Sequence, residues 1–508
     1  MSWSEVTFTT GPAEAGKHHA EAAAGNTAVV AEAKATLLTA LAHAELAGEG
    51  ITHLLLKAAA GAGKSYALRQ LIVAAAGSPG SRAVGVTAFT NNQIRPLAVG
   101  LAKELGRARV CLHLSQNAMD QLPPDVEQQV TVVTKAKDIP ASCDVLVATA
   151  HKLKAPGEKG RIADALGVEE GHPLFHVLFV DEAWQMPHHL FDVVGRLAPV
   201  IVGVGDVGQL PPLEVGTNPW RGDSGHNPYR AWPIAFHGKS STWERELPAV
   251  WRPAGEALGL WRAFYPGWGE LNSVAAPGDR RIVPHGNGPS APLWRQVGTG
   301  VPTLLKVDGL PDSEAPDVDL PLTLALEGWL DDLFSDGFTV ETAEYASDAQ
   351  PTGEVKTDNP GGTATGDPLV VLLATRNQAV DDLHAVAERL REKHGLQERD
   401  LVASTVDSWQ GRTNALTIAF HPLTGATQLD DFNSAFGRLA VTCTRATHGL
   451  LVLSRTGLDD LLETAPARPG TPFGEPGFRQ LPRQTHQRIL GSFARGKIDL
   501  SEQQNQGA

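Results

Sequence analysis

The chain has 508 residues with 57 acidic and 43 basic side chains, a formal net charge of -14 at pH 7. This length predicts about two to four domains. The three cysteines stand far apart and form no C-x-x-C pair, which excludes a disulfide scaffold and a Cys-rich zinc module. No apolar run approaches the ~20 residues that span a bilayer, and the first residues lack the order of a signal peptide. We therefore expect a soluble, cytoplasmic protein that does not bind a membrane.

The negative charge is concentrated in one segment. Residues 307–384 contain 17 acidic and two basic side chains, so the rest of the chain is nearly neutral. We interpret the acidic segment as a solvated face. Because only the local field at a binding groove matters, the net charge does not exclude a nucleic-acid partner.

Short apolar runs in the first half of the chain predict a domain with a parallel sheet. The runs are bounded by glycine or polar residues and separated by helical patterns, as in buried parallel strands. They are His53–Leu56, Ala83–Thr87, Asp144–Ala148, Val177–Val180 and Val200–Val204. We assign residues 51–255 to this domain and residues 1–50 to a preceding N-terminal segment.

A second α/β pattern follows an irregular region. Residues 213–300 are rich in glycine and proline and hold seven of the 11 tryptophans, which favours a packed subdomain over base-stacking or strand-separating side chains. We treat residues 256–300 as a connection, 301–456 as the second domain and 457–508 as a tail. The second domain contains a helix-like segment and strand-like runs: Leu322–Phe334, Leu369–Leu373, Leu416–Phe420 and Leu450–Leu453. Its Pro/Gly/Asp-rich stretch, Ser347–Asp367, is typical of a mobile loop.

A glycine-rich loop between the first apolar run and a helical pattern is typical of phosphate binding. It reads Ala58-x-x-x-x-Gly63-Lys64-Ser65, the Walker A pattern with alanine in place of the first glycine. Gly61 and Gly63 let backbone N–H groups surround a β-phosphate, and Lys64 bridges the β- and γ-phosphates. The Ser65 hydroxyl is a ligand for Mg²⁺.

A second match to this pattern occurs near the N-terminus, at Gly11-x-x-x-x-Gly16-Lys17-His18. It places His18 where a hydroxyl must meet Mg²⁺, and Gly25-Asn26 soon interrupts the helical pattern. We therefore expect nucleotide at the Lys64 loop and a flexible N-terminal segment here.

Two acidic residues, Asp181 and Glu182, follow an apolar run at the carboxyl end of a predicted strand. Asp181 can hold Mg²⁺ through water, and Glu182 is placed to orient and deprotonate an attacking water. The alternative is a surface Asp-Glu turn, which the apolar residues before the pair and the P-loop upstream disfavour. The pair predicts hydrolysis of a nucleoside triphosphate.

The order of these and later motifs resembles superfamily 1 helicases, most closely the up-frameshift-like branch. The resemblance covers residues of roughly 50 to 455. The matching segments are Ala58–Ser65, Asp181-Glu182-Ala-x-Gln185, Gly205-Asp-x-x-Gln209-Leu-Pro-Pro, Val250-Trp-Arg252-Pro, Leu373-Ala-Thr-Arg-Asn-Gln378, Ser404-Thr-Val-Asp-Ser-Trp-Gln-Gly411-Arg and Arg438-Leu-Ala-Val-Thr-Cys-Thr-Arg445-Ala. The resemblance implies an α/β fold of two RecA-like P-loop domains with parallel sheets and an ATP cleft between them.

The same resemblance implies roles at the nucleotide. Gln209 senses the γ-phosphate, and Arg252 and Arg445 stabilise charge on the transferring phosphoryl group. Trp251 stacks on the adenine, with core packing as the alternative, and Gly411 also contributes to nucleotide binding. For Arg252 the alternative is a surface ion pair.

Contacts to nucleic acid are implied for loops at the edge of the sheets opposite the nucleotide. The residues are Thr90 and Asn91, Thr149, and Ser404 with Thr405. Hydroxyls, amides and backbone N–H groups that hold phosphates give a grip without sequence preference. For Thr90 and Thr149 the alternative is that they cap the ends of local elements.

Together these residues predict an enzyme that hydrolyses ATP with Mg²⁺, moves along single-stranded nucleic acid as a monomer and unwinds duplexes. DNA is favoured over RNA as the track. One alternative is a nucleic-acid-stimulated ATPase that remodels complexes without unwinding. The other is a P-loop switch module, which would need neither Arg445 nor the nucleic-acid loops.

Overall fold

The computed structural model describes residues 3–11, 14–45, 50–78, 83–208, 212, 227–313, 315, 318–363, 366–429, 433, 436–465 and 482–501. Its strands are β1 (His53–Lys57), β2 (Val84–Ala88), β3 (Val110–His113), β4 (Thr131–Val133), β5 (Val145–Thr149), β6 (Val177–Asp181), β7 (Val200–Gly205), β8 (Thr242–Glu246), β9 (Ala249–Val250), β10 (Asn272–Ser273), β11 (Arg280–Pro284), β12 (Thr303–Asp308), β13 (Phe338–Tyr345), β14 (Pro351–Asp358), β15 (Val370–Ala374), β16 (Leu401–Thr405), β17 (Asn414–Phe420), β18 (Ala446–Arg455) and β19 (Ala494–Asp499).

The helices connect these strands and cover the sheets. They are α1 (His19–Glu45), α2 (Lys64–Ala76), α3 (Asn91–Leu105), α4 (Gln116–Met119), α5 (Pro124–Gln129), α6 (Ala150–Leu153), α7 (Glu158–Leu166), α8 (His188–Val194), α9 (Leu258–Phe264), α10 (Ala291–Gly298), α11 (Leu320–Asp336), α12 (Asn377–His394), α13 (Phe436–Cys443), α14 (Leu458–Thr464) and α15 (Pro482–Leu490). Within the described residues, no helix combines the length and the apolar character that a membrane crossing needs.

The first sheet is parallel throughout, in the order β4-β3-β5-β2-β6-β7-β1-β8. Successive residues of a strand face opposite sides, so helices on both faces require an unbroken apolar run. Leu54 and Leu56 pack in the cluster with α1 and α2, whereas Leu55 packs in the cluster with α8. This two-sided burial explains why the five predicted runs correspond to β1, β2, β5, β6 and β7.

The second sheet has the order β16-β15-β17-β18-β12-β19 and is also parallel. Helices α11 and α12 pack their apolar side chains against one face of it. The predicted helix Leu322–Phe334 lies within α11, and the three predicted strand-like runs fall in β15, β17 and β18. The two large parallel sheets confirm the predicted α/β fold class of two RecA-like domains.

The prediction of a mobile loop over Ser347–Asp367 is wrong for its first part. Strand β14 pairs antiparallel with β13, which in turn pairs with β11, forming a small three-stranded sheet beside the second domain. Pro351 and Gly353 lie inside β14, whose residues are exposed almost throughout, so the composition typical of a loop here belongs to an exposed strand.

The segments near both ends of the chain pack as parts of the two domains. The segment that sequence assigned to a tail supplies β19, which pairs with β12 at the edge of the second sheet. In the tryptophan-rich region 213–300, Trp232, Trp261 and Trp294 are fully or almost fully buried, as expected for packed core residues. At the other end, α1 lies against α2 through buried side chains such as Leu37.

One buried amide ties α1 to the P-loop. Asn26 donates from Nδ2 to the carbonyl oxygens of Ala62 and Ala249, both at 2.9 Å, and its Oδ1 accepts from the Ala249 N–H at 2.9 Å. Because Asn26 is buried, removal of its amide leaves these backbone groups without partners or water.

We therefore expect Asn26→Ala to lower the free energy of unfolding by about 2–4 kcal/mol, since each unsatisfied buried group costs about 1–3 kcal/mol. Urea unfolding followed by tryptophan fluorescence measures the change. Lys34→Ala, at an exposed position of the same helix, is the control and should be nearly neutral. A loss below about 0.5 kcal/mol in Asn26→Ala would contradict this role.

Candidate nucleotide site at the seam of the two sheets

The P-loop has the strand-loop-helix context that phosphate binding requires. Strand β1 ends at Lys57 and α2 begins at Lys64, with Gly61 (φ 77°) and Gly63 (φ 91°) in the left-handed region between them. A Cβ on Gly61 would lie 2.3 Å from the Cβ of Arg252, so only glycine fits. Ala58 is buried and donates its N–H to the Gly205 carbonyl at 2.9 Å, which explains why a small side chain is tolerated there.

The N-terminal match to the same pattern lacks this context. Lys17 forms an ion pair with Glu270 at 2.8 Å, and no strand precedes it among the described residues 3–11 and 14–17. Its backbone N–H donates to the Asn272 side chain at 3.0 Å. These residues hold the N-terminal segment against the connecting region.

Lys64 is held by Asp181, the predicted metal ligand, and by Glu182, the predicted catalytic base. Its Nζ lies 2.5 Å from Asp181 Oδ1 and 2.8 Å from Glu182 Oε1. Burial alone would lower the pKa of Lys64, but the two carboxylates outweigh it and raise the pKa above its ordinary value. Glu182 adopts a left-handed φ of 50°, and its second oxygen, Oε2, is buried without a hydrogen-bond partner in the described structure. Ser65 lies next to Lys64, exposed in the first turn of α2.

Arg445 of the second domain faces this acidic pair. It lies between α13 and β18 and is only 1% exposed. Its Nε donates to the Val441 carbonyl at 3.2 Å and its Nη2 to Thr444 Oγ1 at 2.9 Å. Burial lowers the pKa of Arg445. The charges that oppose this belong to Asp206 and Glu182 of the first domain and to Tyr265 of the connecting region.

Arg252 lies beside Arg445 at the same seam, which we define as the space between the carboxyl edge of the first sheet and the amino edge of the second. Its Nη1 donates to the Thr444 carbonyl at 3.0 Å. Burial, and next the like charge of Arg445, lower the pKa of Arg252 to about 9. Within the described part of the chain, neither guanidinium forms an ion pair with a carboxylate, so the surface ion pair considered for Arg252 is not observed. The seam thus concentrates positive charge that an anion can neutralise.

Two residues that the motifs did not identify support the P-loop. The Tyr265 hydroxyl accepts from the Ala60 N–H at 2.9 Å and donates to Asp206 Oδ2 at 2.8 Å. Trp261 Nε1 donates to the Ala60 carbonyl at 2.8 Å, and Gly208 N–H donates to Asp206 Oδ1 at 2.8 Å. Burial raises the pKa of Asp206 to about 6. The sequence indicated Asp206, because it follows an apolar run in a helicase-like motif. No local sequence pattern predicts the role of Tyr265.

Trp251 and Gly411 border the seam from opposite sides. Trp251 is 37% exposed, so core packing does not explain it. Its N–H donates to the Gly61 carbonyl at 2.7 Å, and its indole lies 3.8 Å from where a Cβ on Gly63 would be. Gly411 (φ 84°) precedes β17, at the same amino edge of the second sheet as Arg445. Gln209 lies outside the described residues.

The candidate nucleic-acid loops occupy two different edges. Thr90 and Asn91 follow β2 and Thr149 ends β5, so they lie at the carboxyl edge of the first sheet, the same edge as the P-loop. The expectation of an opposite edge is therefore wrong for the first domain, because β1, β2 and β5 are parallel. Ser404 and Thr405 end β16 at the carboxyl edge of the second sheet, away from Arg445, and their contact with nucleic acid stays a prediction.

Local hydrogen bonds shape these loops. Thr149 Oγ1 accepts from the Lys152 N–H at 3.2 Å, so Thr149 is the N-cap of α6. The Thr90 N–H donates to Gln93 Oε1 at 2.9 Å in a capping box at the start of α3. Thr405 Oγ1 donates to Ser408 Oγ at 2.8 Å. The capping alternative for the two first-domain threonines is thus observed.

The raised pKa of Asp206 predicts a pH dependence of stability. The pKa of Asp206 in the folded protein, about 6, exceeds the ordinary value of 3.8. The protonated carboxyl therefore contributes to the free energy of unfolding fully below pH 3.8, and this contribution is lost as the pH rises through 6. Asp206→Asn removes this titration. The wild type loses this contribution as the pH rises and the variant does not. We therefore expect the free energy of unfolding of the variant, minus that of the wild type, to rise by about 1–1.5 kcal/mol between about pH 5 and 7.5.

Urea unfolding of both proteins across this range measures that difference. Asp164→Asn, at an exposed carboxyl of α7, is the control and should give a flat difference. A flat difference for Asp206→Asn as well would show that the buried carboxyl does not titrate in this range.

Comparison with known proteins gave no match to any family model and none to a curated protein. Several solved structures are similar. The PRRSV helicase is 12% identical over 83% of this chain and 56% of its own, with a TM-score of 0.36. Arterivirus nonstructural protein 10 (helicase) is 12% identical over 84% of this chain and 63% of its own, with a TM-score of 0.36. The DUF1998 helicase MrfA bound to DNA is 8% identical over 92% of this chain and 50% of its own, with a TM-score of 0.40. The chain spans 50–63% of the length of these structures.

Proposed function

We propose that this chain is an ATP- and Mg²⁺-dependent motor that moves along single-stranded nucleic acid and unwinds duplexes. The observation that carries the proposal is the seam: a P-loop with Lys64, Asp181 and Glu182 on one sheet, and a buried Arg445 from the other. A nucleotide bound there would contact both domains, so its hydrolysis would change how they sit against each other.

ATP binding requires an exchange of partners at Lys64. In the structure the ammonium group neutralises Asp181 and Glu182, at 2.5 and 2.8 Å. The β- and γ-phosphates would take over the ammonium group. Glu182 would then be free to accept a proton from the attacking water, in a buried position where one of its oxygens already has no partner.

Magnesium fits the oxygen donors at this place. Ser65 and Asp181 supply a hydroxyl and a carboxylate, which with phosphate oxygens suit the preference of Mg²⁺ for few protein ligands. Bound Mg²⁺ would neutralise charge on the β- and γ-phosphates.

The two arginines would stabilise the transferring phosphoryl group. Arg252 and Arg445 reach the seam from different domains and carry no carboxylate partner in the described structure. A guanidinium supplied to a P-loop site is worth ~10³–10⁵ in rate. Trp251, exposed next to Gly63, would stack on the base, and Gly411 and Gln209 would complete the nucleotide site.

Movement would follow from two separate grips on the track. Thr90, Asn91 and Thr149 belong to the first domain, and Ser404 and Thr405 to the second. If nucleotide closes the seam, the distance between the two grips changes, and alternating grip strength converts this change into steps. We favour DNA as the track, a monomeric motor and membership of the up-frameshift-like branch of superfamily 1.

The central test is ATPase activity of the purified chain with and without a single-stranded oligonucleotide. We expect strong stimulation by the oligonucleotide, no turnover in Lys64→Ala, and strand separation on a forked duplex. Stimulation without separation would favour the remodelling ATPase, and turnover without stimulation would favour the P-loop switch. Forks with DNA or RNA tails at either end would give the track and the direction.

Arg445→Ala tests the link between the domains. We expect turnover to fall by ~10³ or more while nucleotide affinity changes little, because the group acts on the charge that develops during phosphoryl transfer. Arg445→Lys, which retains the charge but not the planar fork, should recover only a small part.

Turnover and nucleotide binding should be measured on the same preparations, with circular dichroism as a check of folding. Arg389→Ala is the matched control, since it removes an arginine from the outer surface of the same domain, where Arg389 pairs with Glu327. Unchanged turnover in Arg445→Ala would reject the proposed role.

A further inference from the structure

A cavity of about 650 Å³ lies beside the first-domain loops and is predominantly basic. Four cations and two carboxylates line it, giving a net charge of +2 within a chain of net charge -14: Lys135, Lys137, Lys152 and Arg161, with Glu158 and Asp164. We call this cavity the basic pocket. Lys135 and Lys137 are exposed at its rim.

A buried carboxylate fixes the inner wall of the basic pocket. Glu158 is 3% exposed, and its Oε1 lies 3.0 Å from Lys152 Nζ and 2.6 Å from His113 Nε2. Its Oε2 pairs with Arg161, whose side chain remains 61% exposed. Burial lowers the pKa of His113, so this ring adds no charge at neutral pH. The Glu158 carboxylate therefore orients both Lys152 and Arg161, and the three side chains together keep a net positive charge.

The pocket continues the row of loops at the carboxyl edge of the first sheet. Lys135 follows β4 and Lys152 follows β5, three residues after the cap residue Thr149. In the strand order, β2, β5, β3 and β4 are successive neighbours. Three spacings of ~4.8 Å place the end of β4 about 14 Å beyond the end of β2, where Thr90 lies. The loops after β2, β5 and β4 therefore lie progressively farther from the P-loop, because β1 lies on the opposite side of β2 in the strand order.

We propose that the basic pocket binds backbone phosphates of single-stranded nucleic acid and extends the strand path of the first domain beyond Thr149. This inference rests on the proposed function. Lys135 and Lys137 contact phosphates directly, and the side chains of Lys152 and Arg161 are held in place by Glu158 for the same purpose. Such contacts are independent of sequence and weaken with salt, because each one releases a condensed counterion.

The test compares two double variants that remove the same charge. Lys135→Gln/Lys137→Gln changes the rim of the pocket, and Lys34→Gln/Lys103→Gln changes exposed positions on α1 and α3. All four side chains are exposed, so both variants should fold. The probe is a fluorescein-labelled polythymidine of about 20 nucleotides, with the dissociation constant measured by anisotropy at several salt concentrations.

We expect the rim variant to bind the probe about tenfold more weakly at ~0.1 M salt. Two lost phosphate contacts should reduce the slope of log K against log salt by about 1.4. The control variant should keep the wild-type slope. Equal slopes for all three proteins, or equal losses in both variants, would overturn the assignment of the pocket. A wild-type protein that binds no oligonucleotide would instead overturn the proposed function.

Discussion

The seam brings together two positive charges that have no carboxylate partner in the described structure. Burial, and next the like charge of Arg445, depress the pKa of Arg252 there. Across the seam, Lys64 is neutralised by Asp181 and Glu182. A triphosphate would relieve both conditions at once: it supplies anionic oxygens to the arginines and replaces the carboxylates at Lys64. Binding energy would then arise mainly from charges already positioned, which is the condition for effective electrostatic catalysis.

The direction of the two sheets explains how one chain builds this arrangement. The first domain contributes the carboxyl edge of its sheet, where parallel strands leave their loops, and the second contributes the amino edge, where Arg445 and Gly411 lie. Each half of the site has hydrogen bonds of its own that hold its residues in place. Tyr265 and Trp261 fix the P-loop backbone at Ala60, and Thr444 fixes Arg445. Under the proposed function, a nucleotide-dependent change would fall between the two domains, where fewer of these contacts cross.

Sequence predicted the parts of the fold that are governed by local patterns. Buried parallel strands require unbroken apolar runs, so β1, β6 and β7 and the P-loop between β1 and α2 could be identified. It failed where pairing depends on distant residues: β14 is a polar strand held by β13, and β19 completes a sheet begun at β12. The hydrogen bond from the Ala60 N–H to the Tyr265 hydroxyl connects residues 205 positions apart. No local sequence pattern can predict such a contact.

The acidic segment is not simply a solvated face, since several of its carboxylates pair with cations that follow it in sequence. Asp308, Asp319, Glu327, Asp331 and Asp358 form ion pairs with Lys497, Arg455, Arg389, Lys393 and Arg399, respectively. Each pair offsets the charge of one carboxylate, so the net charge of the segment overstates the charge that it leaves unpaired. Asp367, another member of the segment, acts on Arg252 at the seam. Because only the local field at a groove matters, the net charge of the chain does not decide whether a polyanion can bind.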